Sequence, residues 1–318
     1  INIIVYGITA PLAGALVDRF GPRKIIPAFV LLLAAATAAS SLSQAIWHLY
    51  LLYGVILAFA TSCVGSVPHV ALLSNWFVKK RATAFGLLLA ANAGAFILAS
   101  LVEYFILHIG WRPAFLILAA MIVVIVFPLV AIFERRRPED MGLRPDGASD
   151  NPANGQKPDA RRGREELILD HKWTAVNWTL PRAMKTYRLW LLFFANFFFY
   201  GIGVYMLLAH QVVFATDLGY DPMFAAFVYS MTGVLSAAGA ACGFISDRLG
   251  REETFALAVV STLVGSILLL LTSDSASPWM LYVYAICLGF GYGLGMPTLI
   301  AAGADLFQGK SFGAINGF

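Results

Sequence analysis

Charge is what this sequence has least of. Of its 318 residues, 13% are Asp, Glu, Lys or Arg, against 59% hydrophobic, and the mean hydropathy is +0.76. A soluble globule carries about 25% charged residues and could not cover its surface with so few. A water-soluble fold is therefore excluded. Cysteine is scarce as well: Cys63, Cys242 and Cys287 lie singly in apolar runs. That excludes a disulfide framework or a cysteine-rich metal cluster, and the three read as small apolar fillers. There is no His cluster, no Ser/His/Asp set, no phosphate loop and no Walker sequence. The chain is accordingly read as neither an enzyme nor an ATP-driven pump, with no cofactor, no metal and no nucleic-acid partner.

What is present is long apolar runs. A spanning helix needs about 20 mainly apolar residues. Stretches of that kind, or shortened versions, lie near 1–17, 25–45, 48–74, 84–107, 112–133, 188–214, 222–245, 255–273 and 279–303, and a further one begins near Ser311. The expected fold is an all-α multi-pass membrane protein of about nine spans plus a partial one. Because it opens at Ile1 inside an apolar stretch and stops at Phe318 as another begins, the chain reads as a piece of a longer protein. Gly289, Gly291, Gly293 and Gly295 sit inside one span and read as helix packing rather than a nucleotide loop.

The basic residues follow alternate spans. Arg19, Arg23 and Lys24 follow the first, Lys79, Lys80 and Arg81 the third, Arg248 and Arg251 the seventh and Lys310 the ninth; Arg112 alone lies in a connector of the other parity. By the positive-inside rule the basic connectors are cytoplasmic, in a protein of an inner or plasma membrane. One connector is long and polar. It divides the chain into an apolar region at 1–133, a cytoplasmic linker at 134–187 and a second apolar region at 188–318. Most of the linker cannot bury an apolar face and is expected to be disordered. Its end, near 173–187, mixes Trp with basic residues and reads as an interfacial helix.

An internal repeat joins the two halves. GALVDRFGPRK (14–24) and GFISDRLGREE (243–253) are versions of one pattern, and Gly14/Gly243, Asp18/Asp247, Arg19/Arg248 and Gly21/Gly250 keep one offset. Tyr53/Tyr282 and Pro68/Pro297 keep it too. Shared spacing through two helices and a charged turn indicates duplicated halves, a plan known for transporters with the solute site between repeats. The glycine permits close helix contact, and the aspartate can face the positive end of a neighbouring helix. Asp18 is expected near a helix start at Ser311 and Asp247 near one at Thr83. With Arg23 and Arg251, these residues form a candidate conformational latch. The competing reading makes them loop charges that only obey topology.

On these residues the chain resembles the major facilitator superfamily, whose signature G-x-x-x-D-R-x-G-R-R follows its second and eighth helices. The second copy departs from it at Glu252. NWFVKKRATAFGL (75–87), GWRPAF (110–115), RPEDMGLRPDG (137–147), HQVVFATDLGYDP (210–222) and ADLFQGKSFGAINGF (304–318) are similar to the monocarboxylate and oxalate/formate transporter branch. The resemblance implies two six-helix bundles related by a pseudo-twofold axis. The N-terminal region would hold helices 2–6, and the C-terminal region helices 7–10 and the start of 11; helix 1, most of 11 and 12 would lie outside the chain. It also implies alternating access and transport of a small mono- or dicarboxylate as proton symport or anion exchange; the expected oligomeric state is a monomer. The branch often carries an Arg eight residues before the second motif aspartate. Here that position is Gly239, and neither Arg nor Lys occurs in 189–247. An exporter of drugs or other non-anionic solutes, a channel, or a non-transporting sensor of the same fold therefore stays open.

Polar side chains in a span are costly where they face lipid, so their placement is informative. At 100° per residue Asn196, Tyr200, His210 and Gln211 fall on one stripe of the sixth span, expected to face the bundle interior. Ser62, Ser66 and His69 recur at i, i+4 and i+7, and Asn92 and Glu103 share a face. These nine are the candidates for the solute pathway, with His210 a gate or a proton-linked group. Against that stand plain structural roles: Ser62 and Ser66 bonding back to the helix, and Asn92 joining two helices.

Overall fold

The computed structural model describes residues 1–91, 94–134, 138, 142, 145–147, 173, 176–273, 277–307, 309 and 311–318; for 94–100 and 103 it describes the backbone alone. The described residues are helical, with no strand among them. Eight helices are long and apolar enough to cross a membrane: α1 Asn2–Phe20, α2 Pro22–Ser40, α3 Ile46–Trp76, α6 Trp111–Phe133, α8 Tyr187–Asp217, α9 Pro222–Leu249, α10 Arg251–Leu271 and α11 Pro278–Leu306. The stretch expected over 84–107 appears as α4, Arg81–Ala90, and α5, Gly94–Ile109, on either side of undescribed residues. The short helices are α7, Leu180–Ala183, and α12, Phe312–Gly317. The protein is an all-α multi-pass membrane protein. Leu270 and Val124 are 80% and 71% exposed on its apolar spans, which suits lipid rather than water.

Residues 148–172 of the linker lie outside the described residues. Of the interfacial helix expected near 173–187, the described residues show Trp173 and the turn α7 as helical. Residues 177–179 are not helical, and Thr186 is extended (φ −101°, ψ 138°) before α8 begins. The Trp173 and Trp178 rings meet at a tilt of 35°, centroids 4.3 Å apart, and both meet Phe307; Trp173 Nε1–H donates to the Leu306 carbonyl at 2.9 Å.

Contacts group the chain into two compact units. One holds Ile1–Lys79, Phe96–Ala183 and Ala304–Phe318; the other holds Lys80–Ala95 and Met184–Gly303. In the first, α1 packs on α12 and α3, and α2 packs on α3 and α6. The buried face of α1 is Ala10, Ala13, Gly14 and Val17, spaced i, i+3, i+4, i+7, so small residues bring the helices close. Gly65 breaks α3 between Val64 and Ser66, with φ −74° and ψ −153°. Ser62 is consequently buried and Ser66 exposed, and the i, i+4, i+7 face expected for Ser62, Ser66 and His69 does not form.

In the second unit α4 and α8 pack on α9, and the end of α9 packs on α10. Glycines line two sides of α11. A Cβ on Gly289 or Gly293 would overlap the backbone at Thr232 or Ser236 of α9, and one on Gly291 would overlap that of Ala258 of α10. Backbones approach there as only glycine allows, and Tyr200, Val204, Tyr284 and Leu288 complete the core.

Candidate functional site

The two repeated turns are built alike. Gly21 (φ 86°, ψ 149°) ends α1 and starts α2, and Gly250 (φ 111°, ψ 162°) ends α9 and starts α10. Both lie where a side chain would be strained, so glycine lets the chain reverse with no loop. Each reversal places its aspartate one turn back, on the final turn of the preceding helix.

Each aspartate meets the start of another helix. The first N–H groups of a helix lack intrahelical partners, and a side-chain oxygen at the N-cap ordinarily accepts from the second or third of them. The N-cap positions of α4 and α12 are Lys80 and Ser311, and neither makes such a bond. The cap comes from elsewhere. Asp247 Oδ1 accepts from the N–H of Ala82 at 3.1 Å, and Oδ2 accepts from Thr83 N–H at 2.8 Å and its hydroxyl at 2.7 Å. Asp18 Oδ1 and Oδ2 accept from the N–H groups of Gly313 and Ala314 at 3.3 and 3.0 Å. In both cases the second and third helical residues donate, 164 or more positions away along the chain.

Close packing makes this reach possible. A Cβ on Gly14 would overlap Gly313, and one on Gly243 would overlap Ala82. At the second turn the aspartate also meets a cation. Arg251 Nη1 donates to Asp247 Oδ1 at 2.7 Å and to Ser246 Oγ at 3.1 Å. At the offset of the repeat, Pro22 stands opposite Arg251. Arg19, Arg23 and Arg248 are exposed; Arg19 lies over Phe20 and Arg248 over Phe244.

The stripe expected on α8 is divided. Tyr200 and Gln211 are buried, whereas Asn196 and His210 are exposed. The physical reason is that Phe197–Val204 is π-helical, so a register counted at 100° per residue slips across it. Tyr200 O–H donates to the Tyr292 carbonyl at 3.0 Å, and Gln211 Oε1 accepts from Tyr284 O–H at 2.7 Å. Tyr284 and Tyr292 were not among the residues singled out in the sequence; their eight-residue spacing on an apolar helix was the available signal. Asn92 lies outside the described residues, and Glu103 is placed only by its backbone on α5. The missing cation at Gly239 has a structural counterpart: a Cβ there would overlap Phe290 of α11, so this position faces a helix backbone.

His69 has a partner that the sequence did not suggest. Its Nδ1 is 2.8 Å from the Gly65 carbonyl and its Nε2 is 3.0 Å from Glu134 Oε1. Glu134 follows the end of α6, at the root of the linker. No group of three or more His, Cys, Asp or Glu able to hold a metal occurs among the described residues.

Repeated helical halves in a bilayer, each with a turn that caps a helix elsewhere in the chain, define a membrane-transporter type of fold. The chain belongs to the Major Facilitator Superfamily, whose family model matches residues 1–318. It is 27% identical over 303 residues to monocarboxylate transporter 13 of Bos taurus, covering 95% of this chain and 63% of that protein. It is 24% identical over 314 residues to monocarboxylate transporter 2 of Homo sapiens, covering 96% and 63%. The chain thus spans less than two thirds of the length of these relatives. Among solved structures it is similar to the proton:xylose symporter XylE, with a TM-score of 0.66 and 16% identity, covering 99% of this chain and 74% of that one. That likeness concerns the fold.

Proposed function

We propose that the protein is a secondary carrier that moves a small organic solute across the membrane by alternating access. In this reading the repeated regions 1–133 and 188–318 are bundles that rock about a solute pathway, and 134–187 is the cytoplasmic linker between them. The observation that carries the reading is the doubled cap: each repeat's aspartate holds the start of a helix from the other repeat. Charge-assisted bonds of this type stabilise one arrangement, yet separate without breaking any helix's internal ladder. A contact that can open and reform suits a latch between conformations.

The names of the relatives, monocarboxylate transporters, favour a carboxylate solute; in this reading it is a mono- or dicarboxylate, moved by a monomer with a proton or in exchange for another anion. A non-anionic solute is the second reading, favoured by the glycine at 239 and the absence of Lys and Arg from 189–247. A buried carboxylate needs a cation or several donors, and this stretch supplies donors only through groups such as Tyr200 and Gln211. Asn196, His210, Ser62, Ser66, His69, Asn92 and Glu103 stay candidates for the pathway.

Reconstitution into liposomes tests the proposal. Saturable uptake of a short carboxylate with counterflow is expected of the first reading. Saturable uptake of neutral or cationic solutes alone would replace it with the second. Flux that rises linearly with concentration would mark a channel, and no flux of any solute a sensor; either result overturns the carrier.

A further inference from the structure

The contact between His69 and Glu134 has a proton requirement. A backbone carbonyl can only accept, so the 2.8 Å approach of Nδ1 to the Gly65 oxygen fixes a hydrogen on Nδ1. A neutral imidazole then has a bare lone pair on Nε2. That lone pair lies 3.0 Å from Glu134 Oε1, and an ionised carboxylate has only lone pairs to offer. The two atoms cannot bond without one more proton, carried on Nε2 as an imidazolium or on the carboxyl group as an acid. The side chains are 28% and 11% exposed, enough for a proton to arrive and too little for water to replace the contact.

Among the described residues the other acids near this part of α3 are engaged elsewhere. Among the described residues, the elements packed most closely on the Ser66–Trp76 part of α3 are α1, α2, the Ala58–Val64 part of α3, the turn Pro145–Gly147 and α12. Their titratable or charged side chains are Tyr6, Asp18, Arg19, Arg23, Lys24, Cys63 and Asp146. Asp18 binds the start of α12, and Asp146 accepts from the N–H groups of Val78 and Lys79 at 2.9–3.2 Å. The Tyr6 hydroxyl lies beside Gly65, and the residues of α6 preceding Glu134, Phe127–Phe133, are uncharged.

We propose that His69 and Glu134 form a proton-binding site that clasps the root of the linker to α3. The clasp holds while the shared proton is bound and opens when the pair loses it, so it closes at low pH and opens as pH rises. Asp146, twelve residues further along, keeps a second grip on the end of α3 that needs no proton. One of the two contacts with α3 thereby depends on a proton and the other does not. The site stands apart from the transport reading, since its test involves no solute.

The test uses the protein in nanodiscs, with 15N-labelled histidine and hydrogen exchange measured from about pH 5 to pH 9, bracketing the ordinary histidine range near ~6.5. At the acid end, the histidine signal that vanishes in His69→Gln should carry hydrogen on both ring nitrogens. Alternatively it should carry hydrogen on Nδ1 alone, together with a protonated-carboxyl infrared band that vanishes in Glu134→Gln. Amide protection at 130–134, corrected for intrinsic exchange, should fall at least several-fold as pH rises. Glu134→Gln should keep that protection at every pH, because its amide N–H can donate to the bare Nε2 without an added proton. Glu134→Ala should lose it at every pH. A His69 protonated on Nε2 alone, or a wild-type protection profile flat in pH, overturns the proposal.

Discussion

At the scale of single residues, Asp18 and Asp247 do the same work, each holding the start of another helix. Asp247 accepts from two backbone N–H groups, a hydroxyl and a guanidinium, and Asp18 accepts from two backbone N–H groups at the start of α12. A lost helix cap costs about 1 kcal/mol, and bonds to charged groups about 1.5–3 kcal/mol each. Asp247→Asn and Asp18→Asn should each lower the melting temperature in detergent by the equivalent of at least about 1 kcal/mol, and Arg251→Ala should lower it as well through the lost bond to Asp247. An unchanged melting temperature in Arg251→Ala would mean that Arg251 adds nothing. If the latch reading holds, both aspartate variants should also slow exchange in liposomes. His210, exposed on α8, invites the opposite pattern: His210→Ala should leave stability within about 0.5 kcal/mol of the parent and reduce uptake or its pH dependence. Unchanged kinetics would remove it from the pathway.

The motif made the residues of the two turns legible, because aspartate, arginine and glycine recur there at fixed spacing. The sequence placed Asp18 near Ser311 and Asp247 near Thr83, and the N–H groups they meet belong to Gly313, Ala314, Ala82 and Thr83. The partnership of His69 was not legible. Glu134 is 65 residues away on the far side of two connectors, and nothing in local spacing links them.

Elements carry a second lesson, about phase. Apolar composition was enough to locate α1–α3, α6 and α8–α11, since a bilayer demands length and hydrophobicity of each span separately. Which face of a span turns inward is a finer matter. On α8 the π-helical stretch shifts the register, so Tyr200 and Gln211 are buried while Asn196 and His210 are not. On α3 the break at Gly65 does the same to Ser62, Ser66 and His69. The glycines of α11 show phase that was readable, because size alone decides how near two backbones come. Gly293→Val should destabilise the protein by about 1–3 kcal/mol through overlap with Ser236. Gly303→Ala, with no atom near the added carbon, should change stability by less than about 0.5 kcal/mol. Thermal unfolding of the pair measures the contrast, and equal effects would refute the packing argument.

For the molecule as a whole, topology is the prediction that binds the rest. If the basic connectors all lie on one side, single cysteines introduced at Arg19, Lys80 and Arg248 should react with an impermeant thiol reagent from the cytoplasmic face alone, and one at Gln44 from the opposite face alone. Labelling of the two turns from opposite faces would break the repeat and with it the carrier reading.

By itself the sequence determined that this chain lives in a bilayer, that it is helical, that its halves are related and that its repeated turns carry a fixed set of charged and small residues. Those properties follow from composition and from one-dimensional spacing, which lipid and helix geometry translate directly. Tertiary structure alone decided the cation that reinforces Asp247, the burial of Tyr200 and Gln211 against tyrosines of α11, the backbone contact that occupies Gly239 and the meeting of His69 with Glu134. Each of these depends on the phase of a helix and on contact between segments distant in the chain, and neither quantity is carried by any local window of residues.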